Sequence, residues 1–308
     1  MLDVSFESLP QKAHGTTVLC SVFHTLAYAD VFDYPLTARE VYRYLAWTNA
    51  SFEAVTEALA NTVLFSKIQN YYTLPGREQI VQIRERRAEV AWRLWPKAAR
   101  YGRLIASLPF VRMVAVTGSL AMNNTDEGKD IDYMIVTAPK HLWTCRALSL
   151  LVTRLAKLES VNLCPNYLIT TNALALDEQS LYVAHELMQM IPISGMETYA
   201  EMRRLNHWMA DYLPNALTLP ELSEGIRPIE NRSVIQKILE LLFLLPFASR
   251  FEKWEMDRKI ARLSREQSSS FESYFSADVC KGHIDRHRQK TENAMQEKIK
   301  RIVLQSSA

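Results

Sequence analysis

Two short segments carry the residue types from which phosphate chemistry is built. Thr117, Gly118 and Ser119 follow an apolar run, VRMVAV at 111–116, and eleven residues after Ser119 a second run opens with Asp130, Ile131, Asp132, Tyr133, Met134, Ile135 and Val136. Residues two apart on a strand face the same side, so Asp130 and Asp132 present two carboxylates together. Like charges this close are costly without a counter-ion. Hard carboxylate oxygens select Mg²⁺ or Mn²⁺, with a substrate phosphate and water completing the shell. Gly118 lets the backbone come close to a phosphate, and the N–H groups and hydroxyl at Ser119, near a helix N-terminus, can donate to its oxygens. The two halves address one nucleoside triphosphate, and the chemistry is metal-dependent phosphoryl transfer.

An apolar strand, Gly-Ser, a gap of about ten residues and then Asp-apolar-Asp-apolar resembles the signature of the DNA polymerase β-like nucleotidyltransferase superfamily. The likeness covers Val111 to Val136. It implies that Gly118 and Ser119 hold the triphosphate, that Asp130 and Asp132 bind metal, and that a hydroxyl acceptor attacks the α-phosphate with pyrophosphate leaving. The family pattern usually adds a third carboxylate on a later strand. The natural next strand here, Tyr167 to Thr170, has no acid, and Asn166 stands where an aspartate would be convenient. An amide supplies only a neutral oxygen. The two-carboxylate site is expected to be supplemented by Asn166 or by Glu186, on the helix YVAHELMQM, with Glu186 the expected metal ligand, and Arg146, at the start of the helix after the second strand, is expected to reach a phosphate. The alternatives are a relative that binds nucleotide without turnover, or a differently placed third strand.

These residues need a scaffold, and the chain supplies one around them. Apolar residues recur with helical spacing over 17–32, Thr37 caps a second helix to about 47, and Ser51 caps a third, SFEAVTEALAN. VLFSKIQNYYTL then reads as a short hairpin turning at Gln69 and Asn70. Three helices and a hairpin are in winged-helix order, whose usual function is DNA binding through the third helix, yet that helix carries Glu53 and Glu57 and no Lys or Arg. A long helical pattern from Arg77 to Leu108 carries Arg84, Arg86, Arg87, Arg93, Lys97, Arg100 and Arg103, the pattern of a solvated face, with Pro96 expected to break or kink it. The loop AMNNTDEGKD is expected to be solvated. Residues 181–213 read as two helices around Pro192 and Gly195, with Tyr199, Met202, Leu205, Met209 and Tyr212 forming a core stripe. A Pro-rich linker follows Pro214, and helices are expected over about 231–305.

The 308 residues balance 36 Lys and Arg against 34 Asp and Glu, so the whole-chain charge gives no steering toward nucleic acid. Only eight glycines occur, which argues against folds with several glycine-rich phosphate loops. The four cysteines are widely spaced, implying neither a zinc knuckle nor a disulfide framework. The first fifteen residues lack the pattern of a secretory leader, and the most apolar stretch, residues 239–248, is too short to span a bilayer. The expectation is a cytoplasmic α+β protein in three parts. These are a winged-helix-like module at 1–76, a nucleotidyltransferase domain with a small mixed sheet at 77–215, and a helical C-terminal region at 216–308. It would act on a nucleoside triphosphate with Mg²⁺ or Mn²⁺ and an unidentified hydroxyl acceptor. The other reading is a nucleotide-binding regulator or adaptor. Nucleic acid is not favoured as a partner, no membrane partner is expected, and the sequence does not choose an oligomeric state.

Overall fold

The computed structural model describes residues 17–61, 63–219, 228–229, 234–242, 246–266, 274–281 and 287–306. The expectations for the first fifteen residues and for most of the linker fall outside them. The protein is α+β, with two sheets among the described residues.

The chain begins with α1 (Val18–Asp30), capped by the Thr17 hydroxyl, then β1 (Leu36–Thr37) and α2 (Ala38–Arg43). Thr37 and Glu40 form a reciprocal capping box at α2, which satisfies two of the backbone donors a helix start leaves open. The Ser51 hydroxyl caps α3 (Phe52–Leu59), and a hairpin of β2 (Ser66–Ile68) and β3 (Tyr71–Thr73) closes on β1 in the antiparallel order β1-β3-β2. Next comes α4 (Ile80–Ala106), which runs unbroken through Pro96. That is a correction to the expected break. Pro96 lies on the solvent side of the helix, where water can satisfy the carbonyl that the missing N–H leaves free.

The central sheet is mixed, in the order β7-β4-β5-β6-β9-β8. Its middle is formed by β4 (Val111–Val116) and β5 (Ile131–Thr137), antiparallel, with β6 (Leu163–Thr170) parallel to β5. The crossover from β5 to β6 is α6 (Leu142–Leu158). One edge is β7 (Ile191–Ser194), placed where two helices around Pro192 and Gly195 were expected; Pro192 sits opposite Ala115 beside a register shift in the pairing with β4, and bulges and sheet edges are where proline is found in sheets. Gly195 follows it at φ +74°, where a Cβ would sit 2.0 Å from the Arg112 carbonyl oxygen, so no other residue fits. Beyond β6 lie β9 (Val279–Lys281) and the short edge strand β8 (Tyr274–Phe275). The C-terminal region expected to be wholly helical therefore contributes two strands to the sheet.

Alternation along the strands divides the core. Val114, Val116, Tyr133 and Ile135 pack on one face against Trp95 and Tyr101 of α4 and Trp143 of α6. Met113, Ala115, Met134 and Val136 pack on the other with α7 (Leu181–Gln189), α8 (Met196–Leu205), α9 (Met209–Tyr212) and α12 (His287–Ser306). The stripe Tyr199, Met202, Leu205, Met209 and Tyr212 lies in or against this second core, as expected. Phe23, Leu26, Leu45 and Leu74 belong to it too, so the N-terminal helices share one apolar core with the sheet. Polar locks reinforce that union. Arg84 of α4 donates to both Glu40 oxygens, at 2.8 and 2.7 Å, and stacks between Tyr34 and Tyr71. Arg77 and Lys298 both pair with Asp30.

Candidate active site

The turn after β4 is clipped to the start of β5, because the Thr117 N–H donates to the Asp132 carbonyl at 3.0 Å. Gly118 adopts φ +64°, and a Cβ built on it would lie 2.9 Å from Asp132 Oδ2. Glycine is thus required twice, by the left-handed backbone and by the carboxylate against it. The chain then makes one helical turn, α5 (Gly118–Ala121), and the Asn124 N–H donates to the Ser119 carbonyl at 2.8 Å. The polar loop that follows is anchored where solvation was expected. Trp95 Nε1 donates to Asn123 Oδ1 at 2.6 Å, Asn124 Nδ2 to the Phe32 carbonyl at 3.0 Å, and Arg87 Nε to Asp126 Oδ2 at 3.1 Å.

Asp130 stands exposed just before β5, and Asp132 is half-buried as its second residue. Burial and then the charge of Asp130 push the Asp132 carboxyl up to about 6, while the Cys164 thiol, a donor to it from β6, pulls partway back. That thiol is itself pushed up to about 12 by burial and by the two aspartates, and stays protonated. Glu186 projects from α7 toward the same space. Burial pushes its carboxyl up to about 7, the charge of Asp132 adds to the rise, and Lys281 opposes it. The opposite sign holds for His185, which burial drives down to about 3; it is a neutral ring stacked on Tyr28 at 4.1 Å between centroids.

Asp132, His185 and Glu186 line a cavity of about 880 Å³ between the second face of the sheet and the N-terminal helices, while Asp130 and Cys164 lie off its wall. Thr117, Gly118, Ser119, Asp132, Asn166 and Glu186 contribute from the sheet side, and Tyr28, Phe32, Tyr34 and Tyr44 from the N-terminal side. Glu178, Lys281 and Arg288 complete the wall. Arg146 does not reach it. Its guanidinium lies over Trp143 and beside Cys280, both in the core on the other face of the sheet. The sequence gives the helix but not which face of the sheet that helix covers, and this corrects the expected phosphate contact.

Among the described residues no three Asp, Glu, His or Cys side chains converge as a metal-binding group. Glu186 therefore shares the cavity without closing a three-carboxylate set around Asp130 and Asp132. Asp130, just before β5, and Asp132 on it fit a divalent cation in donor chemistry: two hard oxygen ligands, the second raised by burial and then by the charge of the first, leaving the remaining positions to phosphate and water.

Sequence reasoning missed Glu178, Lys281, Arg288 and Cys164. Cys164 was detectable in principle, since a strand beside Asp-x-Asp puts its residues next to the carboxylates. Lys281 and Arg288 were not, because an unrecognised strand, β9, brings Lys281 to the sheet. Compared with protein-family models, with curated proteins and with solved structures, the chain matches none.

Proposed function

We propose that the chain is a nucleotidyltransferase that moves a nucleoside monophosphate from a nucleoside triphosphate to a hydroxyl acceptor, with Mg²⁺ or Mn²⁺. The observation that carries this reading is the contact of Gly118 with Asp132, where no Cβ fits, on the wall of a cavity large enough for a nucleotide. The turn and the carboxylate are the two halves of the resemblance at 111–136, and they meet in space.

In this reading Gly118 and Ser119 hold the phosphates that leave as pyrophosphate, through backbone N–H groups and the Ser119 hydroxyl. Asp130 and Asp132 hold the cation, which offsets the charge on the reacting phosphate. The acceptor oxygen forms a bond to the α-phosphorus, and the bond from that phosphorus to the β-bridging oxygen breaks. Glu186, with a carboxyl at about 7, takes the hydroxyl proton at its carboxylate near neutral pH. The aromatic wall of Tyr28, Tyr34 and Tyr44 confines base or acceptor, so the winged-helix-like module serves as a wall of the site. The solvent side of α3 supports this, carrying the carboxylates of Glu53 and Glu57 and no Lys or Arg.

The test is transfer of label to a small-molecule extract from α-labelled and, separately, γ-labelled triphosphate with Mg²⁺. Label passing from the α position only, with pyrophosphate released, is the expected result; label passing from the γ position refutes it. A second reading, a nucleotide-binding regulator without turnover, draws on the lack of a three-carboxylate group among the described residues. It predicts nucleotide binding with no transfer from either position.

A further inference from the structure

The sheet arranges the cavity floor in a fixed sideways order. The Gly118–Ser119 turn follows β4, Asp132 is on β5, Tyr167 on β6 and Lys281 on β9, four strands that are neighbours in the sheet. Met134, Tyr167 and Lys281 are partners in one row, and Asp132 precedes Met134 by two residues on the same face. An in-line displacement puts the entering oxygen and the leaving oxygen on opposite sides of the phosphorus. With the leaving pyrophosphate on the β4 side and the α-phosphate at Asp132, the acceptor must enter from the β6 and β9 side.

That side carries two cations, Lys281 and Arg288, with Glu178 and Asp177 beside them. Lys281 Nζ lies over the Tyr167 ring, 6.0 Å from its centroid, and donates to Glu178 Oε2 at 2.9 Å. Arg288 of α12 brings its Nε within 3.2 Å of Glu178 Oε1, yet that nitrogen is buried and has no hydrogen-bond acceptor in line. Two cations thus converge on one carboxylate, which leaves a guanidinium N–H unsatisfied. A phosphate or carboxylate with freedom to orient would satisfy both better.

We propose that Lys281 and Arg288 form the subsite for an anionic group of the acceptor, which is a hydroxyl compound carrying a phosphate or carboxylate, and that Glu178 occupies this position until the acceptor displaces it. The inference rests on the nucleotidyltransferase reading, since the in-line argument needs the leaving group at Ser119. Two strand spacings, about 10 Å, separate β5 from β9, which is the span of a small molecule with the anion several bonds from the reacting hydroxyl. The role also explains why the C-terminal strand is threaded into the sheet beside the site.

The experiment measures two bindings on the full chain. A nonhydrolysable ATP analogue with Mg²⁺ is titrated by calorimetry into wild type and into Lys281→Gln with Arg288→Gln. Equilibrium dialysis then follows inorganic phosphate, and separately acetate, on the analogue-bound proteins. The expected results are analogue affinity unchanged within about twofold, and saturable anion binding weakened at least tenfold by the double substitution. Glu178→Gln, which keeps the side-chain shape and removes the competing charge, is expected to tighten anion binding. Preference for phosphate or for acetate identifies the group. Analogue affinity falling tenfold in the double variant assigns the cations to the triphosphate and overturns the proposal. So does the lack of saturable anion binding in analogue-bound wild type, or anion binding that survives the substitutions. No analogue binding in wild type overturns the nucleotidyltransferase reading and this inference with it.

Discussion

Replacing Glu186 with Gln separates what this carboxylate does for the reaction from what it costs the fold. Its carboxyl is raised from 4.5 to about 7, so the folded state binds the proton more tightly than the unfolded chain does. The stability this provides is full below about pH 4.5 and is lost as pH rises through about 7. At about 1.4 kcal/mol per tenfold change in proton affinity, the ionised folded protein is destabilised by about 3 kcal/mol. Glutamine cannot ionise. In metal-free buffer with chelator, Glu186→Gln is expected to match wild type near pH 4 and to exceed it by about 3 kcal/mol near pH 8, measured by urea unfolding. Its transfer rate is expected to fall about 100-fold, the scale of a lost general base. A stability difference that does not change with pH, or a variant less stable than wild type near pH 8, would refute the reasoning.

Gly118→Ala is expected to cost about 1–2 kcal/mol of stability from the left-handed backbone alone. It should also weaken nucleotide binding at least tenfold, because the new methyl displaces Asp132 Oδ2; calorimetry checks the second effect and urea unfolding the first. Arg84→Ala leaves Glu40 part-buried and unpaired and removes the stack between Tyr34 and Tyr71, so a loss of about 3 kcal/mol is expected in chemical unfolding. Duplex DNA is expected to show no saturable binding at about 50 mM salt, given the acidic face of α3; retention with a steep salt dependence would contradict the assignment of that module to the cavity wall.

Local chemistry made the capped helices, the hairpin at Gln69 and Asn70 and the strand VRMVAV legible, because each is specified by residues within a few positions of one another. Thr37 with Glu40 is the clearest case. The turn at Gly118 and the paired aspartates were legible for the same reason. What escaped depends on partners distant in sequence. A run containing Pro192 becomes a strand only because β4 offers an edge, and residues 279–281 become one only because β6 does. Arg146 was misassigned because its position on α6 says nothing about which sheet face α6 covers. The same limit hid Lys281, whose place beside Glu186 exists only after the C-terminal segment joins the sheet.

The central claim is a nucleotide site built on Gly118, Ser119, Asp130 and Asp132, and calorimetric binding of a nonhydrolysable nucleoside triphosphate analogue tests it most directly, because no acceptor is needed. The account predicts Mg²⁺-dependent binding to wild type that is lost when Asp130→Asn and Asp132→Asn are combined. Failure of all four triphosphate analogues to bind, or binding that persists unchanged in the double variant, would contradict it.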